Sequence, residues 1–256
     1  FDSLVYTNGE EAMIVVGVGS VLGSPLSKTL VKHNDRAFCS TANVLYETAP
    51  GTYPSSTVDN FATGASWTIG ESTSHIVGLI SIGKNLLIFK EKEIFIQYGY
   101  TKNERQTQLL TKNYGSLSAF SIKSANIQGF GDCAIFLSDK KRLCIANLNG
   151  VVEIGDNVQD RLDTIALADE PVMLIPTRHS ARAGISDDGY YVLGYSDYAL
   201  NAAPFHFNKA ICVNIKDGLA ITEWMSHTQN APTGYSDLPF FRFAEKGLIV
   251  ATLDYK

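Results

Sequence analysis

The stretch Ile76–Tyr98 reads I-V-G-L-I-S-I-G-K-N-L-L-I-F-K-E-K-E-I-F-I-Q-Y, three apolar runs separated by two turns. The turns are Gly83-Lys84-Asn85 and the charged tetrad Lys90-Glu91-Lys92-Glu93. Runs this short, rich in Ile and Phe, read as strands rather than helices, and the stretch is a β-meander. Apolar side chains fall on both parities: Ile80 and Ile82 alternate with Leu79, and Leu86 and Ile88 with Leu87 and Phe89. Successive strand residues point to opposite faces, so both faces of this sheet have to be covered. Such a sheet needs neighbours of its own kind.

The 256 residues amount to one large domain or two small ones, at roughly 100–200 residues per domain. Hydrophobic residues make up 45% and charged residues 18%, the latter below the usual quarter. That balance fills a core but leaves little polar face for amphipathic helices. A net charge of -5 argues against a surface devoted to gripping phosphates, though it allows a local basic lining. The four cysteines, Cys39, Cys133, Cys144 and Cys212, have no C-x-x-C pairing, so neither a zinc site nor a disulfide scaffold is signalled. Cys133 and Cys144 flank one hairpin and a bridge between them is the alternative to buried free thiols, the preferred reading, which points to a reducing compartment. No apolar run approaches the ~20 residues of a membrane span, and no basic-then-apolar leader is seen. Beginning at Phe1, the chain reads as processed or as a segment of something longer.

Working outward from the meander, Ala12–Val21 reads as one strand with a bulge or a close backbone approach, since two glycines interrupt its β-branched run. Strands follow at Thr29–Lys32, Asp35–Ser40 and Val44–Tyr46. Between Thr48 and Ser74 the composition turns to Pro, Gly, Ser, Thr and Asn, with Phe61, Trp67 and Ile69 as anchors, and reads as a long surface loop. Thr101–Thr111 is polar and charged. Further strands are expected at Ala125–Gln128, Cys133–Leu137, Arg142–Ala146 and, past the Asn149-Gly150 turn, Val151–Ile154. Asp156–Leu167 is the one helix, capped by Asp156, with Val158, Leu162 and Ile165 at helical spacing. Val172–Thr177, Ala183–Ile185, Tyr190–Tyr195, Lys209–Ile215, Leu219–Trp224, Phe240–Phe243 and Leu248–Leu253 complete the strands.

Aligned by their turns, four hairpins recur. They join Phe38-Cys39-Ser40 to Val44-Leu45-Tyr46, Ile88-Phe89 to Ile94-Phe95-Ile96, Ile135-Phe136 to Leu143-Cys144-Ile145, and Gly184-Ile185 to Tyr190-Tyr191-Val192. The period is about 48–51 residues, the range of sheet repeats, and Leu137-Ser138-Asp139 matches Ile185-Ser186-Asp187 in turn chemistry. Roughly four-stranded antiparallel units with two apolar faces are what a β-propeller stacks. The expectation is an all-β chain with one short helix, a single β-propeller-like domain over 1–256 with about five blades, whole or a fragment of a longer chain. An irregular β-sandwich is the alternative.

No catalytic, cofactor-binding or metal-binding residue is assigned. His33, His75, His179, His206 and His227 lack metal-ligand spacing. Glu10-Glu11 and Asp187-Asp188 are adjacent in sequence, whereas glycosidase carboxyls face each other across a cleft. Ser186-Asp187-Asp188-Gly189 faintly resembles a sialidase Asp-box but lacks its terminal aromatic. Gly129-Phe130-Gly131 lacks the strand-to-helix setting of a phosphate loop. Lys140-Lys141-Arg142 and the pair Arg178 and Arg182 are weighed as a DNA-facing rim against solvated turn tips, the plainer reading.

From Arg36 to Trp224 the order of segments resembles the propeller region of bacteriophage tail nozzle and tail hub proteins. The residues concerned are His33-Asn34-Asp35-Arg36-Ala37-Phe38, then Ile76-Val77-Gly78-Leu79, Asn85–Phe89 and Glu93–Ile96. A glycine-framed segment over Gly129–Gly150, the helix, Gly189–Tyr195, Ala210–Val213 and Ile221-Thr222-Glu223-Trp224 follow. The resemblance implies a virion structural protein of short-tailed phages, assembled in the host cytoplasm into a homo-oligomeric ring, typically a hexamer, around the DNA exit channel. It implies portal, adaptor and other tail proteins as partners, and packaged DNA retained or guided for ejection without sequence specificity. It implies no enzyme activity, no cofactor and no membrane insertion by this segment. A carbohydrate-binding or glycoside-hydrolysing propeller using Tyr and Trp platforms, and a cellular propeller scaffold, are the competing readings.

Overall fold

In the computed structural model the described residues are 5–6, 14–15, 19–21, 23, 25–27, 29–55, 58–71, 73–165, 181–195, 209–225, 240–244 and 247–251. The chain divides into two compact units, 1–119 with 148–150 and 120–147 with 151–256.

The first unit holds a three-stranded sheet, β1 (Val5–Tyr6), β2 (Ile14–Val15) and β3 (Gly19–Ser20), and two four-stranded ones. The first of these is β4 (Thr29–His33), β5 (Arg36–Thr41), β6 (Val44–Glu47) and β7 (Ala65–Thr68); the second is β8 (Ile76–Ile82), β9 (Asn85–Lys90), β10 (Ile94–Tyr98) and β11 (Gln106–Thr111). The second unit repeats the pattern with β12 (Lys123–Ile127), β13 (Gly131–Leu137), β14 (Leu143–Asn147) and β15 (Gly150–Ile154), then β16 (Ala181–Ile185), β17 (Tyr190–Tyr195), β18 (Lys209–Asn214) and β19 (Ile221–Met225). The hairpin β20 (Phe240–Ala244) and β21 (Gly247–Ala251) follows. Every four-stranded sheet is an antiparallel meander strung in chain order. The fold is all-β, and its sheets have the topology of β-propeller blades.

The opening meander is the second of these sheets less its last strand. Ile82 pairs with Asn85, so the turn is the two residues Gly83-Lys84, with Gly83 at φ 54, the left-handed conformation such hairpins need. Leu86–Phe89 and Ile94 are all 0% exposed. Both faces are therefore covered, as the double parity requires.

Pairing in the preceding sheet explains how its two faces are filled. Val31 lies opposite Phe38, Phe38 opposite Glu47, and Leu45 opposite Trp67, so these side chains share one face. There Val31, Phe38, Leu45 and Trp67 meet Leu79, Leu86, Ile88 and Phe95 of the next sheet in one apolar cluster. Leu30, Cys39 and Tyr46 are likewise opposite one another and pack on the other face with Val21 and Phe61.

Several expectations are corrected. Thr48–Ser74 is not wholly loop: it contains β7, whose exposed residues alternate with buried or half-buried ones. The stretch Thr101–Thr111, for which no element was expected, contains β11, an edge strand whose Gln106–Gln108 are exposed. Ala12–Val21 is not one bulged strand, because β2 and β3 pair antiparallel as a hairpin. The helix shrinks to a 3-10 turn, Asp156–Val158, and one α-turn, α1 (Gln159–Leu162). Asp156 is not its cap: Gly155, at φ 85, takes that position with no side-chain bond. The spacing was nonetheless real, since Val158, Leu162 and Ile165 are all buried. The strand expected at Val172–Thr177 lies outside the described residues.

The repeat is also re-registered. The first three hairpins join second and third strands, whereas Gly184-Ile185 and Tyr190–Val192 belong to β16 and β17, a first and a second strand. The matching turns do share chemistry: Ser138 Oγ accepts from the Arg142 N–H at 3.0 Å and Ser186 Oγ from the Tyr190 N–H at 3.1 Å. They occupy different places in their sheets, because a Ser-x-x-x turn serves any tight hairpin.

All four cysteines are free and buried. Cys144 lies opposite Phe136 while Cys133 lies opposite Ala125, so the two thiols are not across from each other. Burial pushes Cys39, Cys144 and Cys212 up to about 12 and Cys133 to about 11, which makes them inert hydrophobes at neutral pH.

Candidate functional site

The densest polar cluster is in the first unit, where β5 and β6 deliver Arg36 and Glu47 to the same face as Phe38. Arg36 sits two residues before Phe38, diagonally across from Glu47, a spacing within side-chain reach. Arg36 Nη1 donates to Glu47 Oε1 at 2.8 Å, and Arg105 Nη2 stands 2.9 Å from Glu47 Oε2. One carboxylate is thus held between two guanidiniums, one oxygen to each. Arg36 Nε donates to Asp35 Oδ1 at 3.2 Å, so two cations face two anions.

Arg105 precedes β11 and is fastened by its Nη1 donating to Gly99 O at 2.9 Å. Its guanidinium carbon lies 4.8 Å from the Phe38 ring centre and 5.8 Å from that of Trp67. These aromatic faces supply the attraction that a planar cation takes from a π-system. Arg36 lies 5.5 Å from the Tyr100 ring, and the neighbouring Asp35 raises the Tyr100 phenol. Burial pushes the Glu47 carboxyl up while Arg105 and Arg36 pull it back. Burial likewise lowers Arg105, with Glu47 opposing.

His33 closes the cluster at the end of β4. Its Nδ1 is 2.8 Å from Ser81 Oγ on β8, and its Nε2 is 3.0 Å from Asn34 Nδ2. With Asn34 donating to Nε2, the ring proton resides on Nδ1 and is donated to Ser81. A serine beside a histidine is a nucleophile and base in outline. Here the polarity is wrong, because the imidazole gives its proton to the hydroxyl instead of taking one. Burial, and then the Arg105 charge, lower His33 to about 4, so at neutral pH it is a poor general base.

A second buried cation lies nearby in the chain. Lys90 is 0% exposed, and its Nζ donates to Ile69 O at 2.9 Å and Glu71 O at 2.8 Å. Gly70, between those carbonyls, has φ 60, and a Cβ there would come within 2.8 Å of Phe95 Cζ and 3.1 Å of Lys90 Nζ. Only glycine lets the connector wrap the ammonium this closely. Burial lowers Lys90, and Glu93, Glu71 and Glu91 oppose it.

Chemically, this arrangement joins strands. Each charged head reaches another sheet, a turn or a connector. Among the described residues no group of three or more His, Cys, Asp or Glu is placed to hold a metal ion. Of the histidines, His33 is in the cluster and His75 lies before β8; His179, His206 and His227 fall outside the described residues, as do Glu10 and Glu11. Asp187-Asp188 is in the β16–β17 turn, and Gly129-Phe130 lies in the β12–β13 turn, with Gly131 opening β13. The basic residues weighed as a rim are dispersed. Lys141 donates to Asp163 O at 3.0 Å beyond α1, Arg182 is on β16, and Arg178 is outside the described residues.

Sequence reading passed over Glu47 and Arg105. The available signal was a charge at each end of a buried hairpin, Arg36 entering A-F-C-S and Glu47 leaving V-L-Y. Nothing local marks Arg105 as their partner.

No family model and no curated protein matches the sequence. Among solved structures, the chain is similar to the N-terminal domain of Nup159, at 9% identity and a TM-score of 0.48, over 94% of this chain and 61% of that one. It is also similar to the WD40 domain of SCAP from fission yeast, at 9% identity and a TM-score of 0.39, over 90% and 52%. The chain spans between half and three-fifths of the length of these two structures.

Proposed function

We propose that this chain is a structural subunit whose sheets form the wall of a ring, a virion component of the tail nozzle or hub type around a DNA exit channel. One observation carries the non-catalytic reading. Among the described residues the buried charged-type side chains His33, Arg36, Glu47 and Lys90 are all engaged in joining strands to one another, to connectors or to the next sheet. Sheets apolar on both faces make stiff walls, and exposed connections make subunit contacts. The tail-ring identity draws its support from the ordered resemblance between Arg36 and Trp224. Contact with DNA in such a ring is through its backbone and independent of sequence.

Electron microscopy of the purified full chain, with mass photometry at rising concentration, tests this. Closed rings, or co-sedimentation with portal or adaptor proteins, are the expected result. A strict monomer that cleaves members of a glycan panel would overturn the reading and favour a carbohydrate-active propeller.

A further inference from the structure

We propose that the connector 155–165, which follows β15 in the second unit, is a releasable strap across the sheets β12–β15 and β16–β19, with the Arg161–Glu223 ion pair as the tie that parts first. The connector is fastened to both sheets. On one side Gln159 Nε2 donates to Lys141 O at 3.2 Å, and Lys141 Nζ donates to Asp163 O at 3.0 Å, so the β13–β14 turn is bonded to the strap twice. On the other, the 3-10 turn Asp156–Val158 packs against β19, and Arg161 Nε stands 3.3 Å from Glu223 Oε2. Gly155 lies between the two. A Cβ there would meet Ile221 Cδ1 of β19 at 3.1 Å and Leu143 Cδ2 of β14 at 3.7 Å. Ile221 and Glu223 are two residues apart on β19 and so share the face that the strap crosses.

Alone, the connector has little to keep it ordered. One 3-10 turn and one α-turn fall far short of the ~12–15 residues at which a helix is marginally stable by itself, and neither carries a side-chain cap. Its order comes from the sheets, through the buried Val158, Leu162 and Ile165 and the polar ties. A segment held in this way opens separately from the strands beneath it.

The ionic tie separates without stranding a charge. The Arg161 side chain is 53% exposed, and its Nε is also 3.5 Å from Asp160 Oδ2 on the same turn. Glu223 Oε1 accepts from the Tyr195 hydroxyl at 2.9 Å. On release the arginine keeps Asp160 and water, and the carboxylate keeps Tyr195. The first unit is built the other way: Glu47, Arg36 and Arg105 are 1–4% exposed, and parting them leaves buried charges without partners. That cluster is a permanent lock, whereas the strap is a tie that ionic strength loosens, because salt screens exposed pairs far more than buried ones. Release uncovers Leu162 and Ile165 and uncouples the β13–β14 turn from β19, which makes the joint between these two sheets adjustable.

A monomeric chain has the same strap, so the inference does not depend on the ring-subunit reading. Hydrogen exchange of the full chain at fixed pH tests it, at low salt and at about 1 M sodium chloride, where the screening length is about 3 Å. The reporters are the amides of Asp163, Thr164 and Ile165, which donate to Gln159 O, Arg161 O and Leu162 O. They should exchange faster than the amides of β13 and β14, and salt should speed them about two- to fivefold, the range of an exposed ion pair, while leaving β13 and β14 unchanged. Arg161→Gln should produce the same acceleration at low salt and abolish the further response to salt. Glu223→Gln, which keeps an acceptor for Tyr195, should behave alike. Strap amides that exchange only as slowly as those of β13 and β14 in the unmodified chain overturn the proposal without any variant, and so does a salt response that persists in Arg161→Gln or Glu223→Gln.

Discussion

In the sheet β4–β7, the central hairpin β5–β6 carries Arg36 and Glu47 into the interior at 3% and 1% exposure. In the sheet β12–β15, of the same topology, the central hairpin β13–β14 buries Cys133, Ala134, Ile135, Phe136, Leu137, Leu143, Cys144, Ile145 and Ala146. Both hairpins pair antiparallel, across a two-residue turn between Thr41 and Val44 and a longer one between Leu137 and Leu143, and the contents differ. The apolar hairpin depends on volume, so each methyl group matters by itself. In the ionic hairpin completeness matters, because each charge is tolerated only while its partners remain. The same blade topology therefore accepts either interior, with opposite sensitivities to mutation.

The largest effect should come from putting a lone charge where no partner exists. Leu87→Asp, in the middle of β9, places a carboxylate in a strand covered on both faces, a penalty comparable with the roughly 5–15 kcal/mol that holds a domain together. The variant should fail to give soluble protein with a native circular-dichroism spectrum. A soluble, correctly folded Leu87→Asp chain would remove the basis for doubly covered sheets.

Next in size is Glu47→Gln, which leaves two guanidiniums without their carboxylate. A loss of about 3–5 kcal/mol in urea denaturation is expected. The contrast sharpens when all three are replaced together: Arg36→Met with Glu47→Leu and Arg105→Met should recover much of that loss, since an apolar filling meets the same topology, as β13–β14 demonstrates.

His33 adds a pH dependence. Its folded value of about 4 lies below the ordinary 6.5, so the unfolded chain takes up the proton first. Its contribution to stability is complete above about pH 6.5 and is lost progressively as the pH falls to about 4, for a total of roughly 3 kcal/mol. His33→Gln should flatten this part of the stability profile, measured as the urea midpoint against pH. An unchanged slope would remove His33 from the cluster's energetics. The apolar counterpart is the smallest effect: Ile145→Val should cost about 1 kcal/mol at any of these pH values.

How far the chain could be read beforehand follows the same division. Strands buried on both faces, such as β9, β10, β13 and β14, declare themselves as apolar runs bounded by turn residues. The strands β7 and β11 do not: β7 is only four residues of alternation within a Gly-, Ser- and Thr-rich stretch, and β11, with Gln106, Thr107 and Gln108 exposed, has neither an apolar run nor alternation to betray it. Pairing with β6 and β10 makes them strands, and that is a tertiary effect. Likewise α1 stops after one turn although its apolar spacing continues to Ile165, since burying three residues needs no long helix. The charge cluster was the least legible. Its members come from three places in the sequence, and only the register of β5 with β6 and the approach of Arg105 bring them together. A lysine such as Lys90, inside E-K-E-rich surroundings, reads as a solvated turn yet is fully buried by two carbonyls and the Phe95 ring, 5.8 Å away.

The most direct test of a structural role for the interior charges is a double-mutant cycle between Glu47→Gln and Arg105→Met, with stability measured by urea denaturation at neutral pH. Strong coupling is predicted, of about 1–3 kcal/mol, with the double variant more stable than the sum of the single losses. Additivity within about 0.5 kcal/mol would mean that the 2.9 Å approach of Arg105 to Glu47 does nothing to hold the first unit together, and would contradict the account.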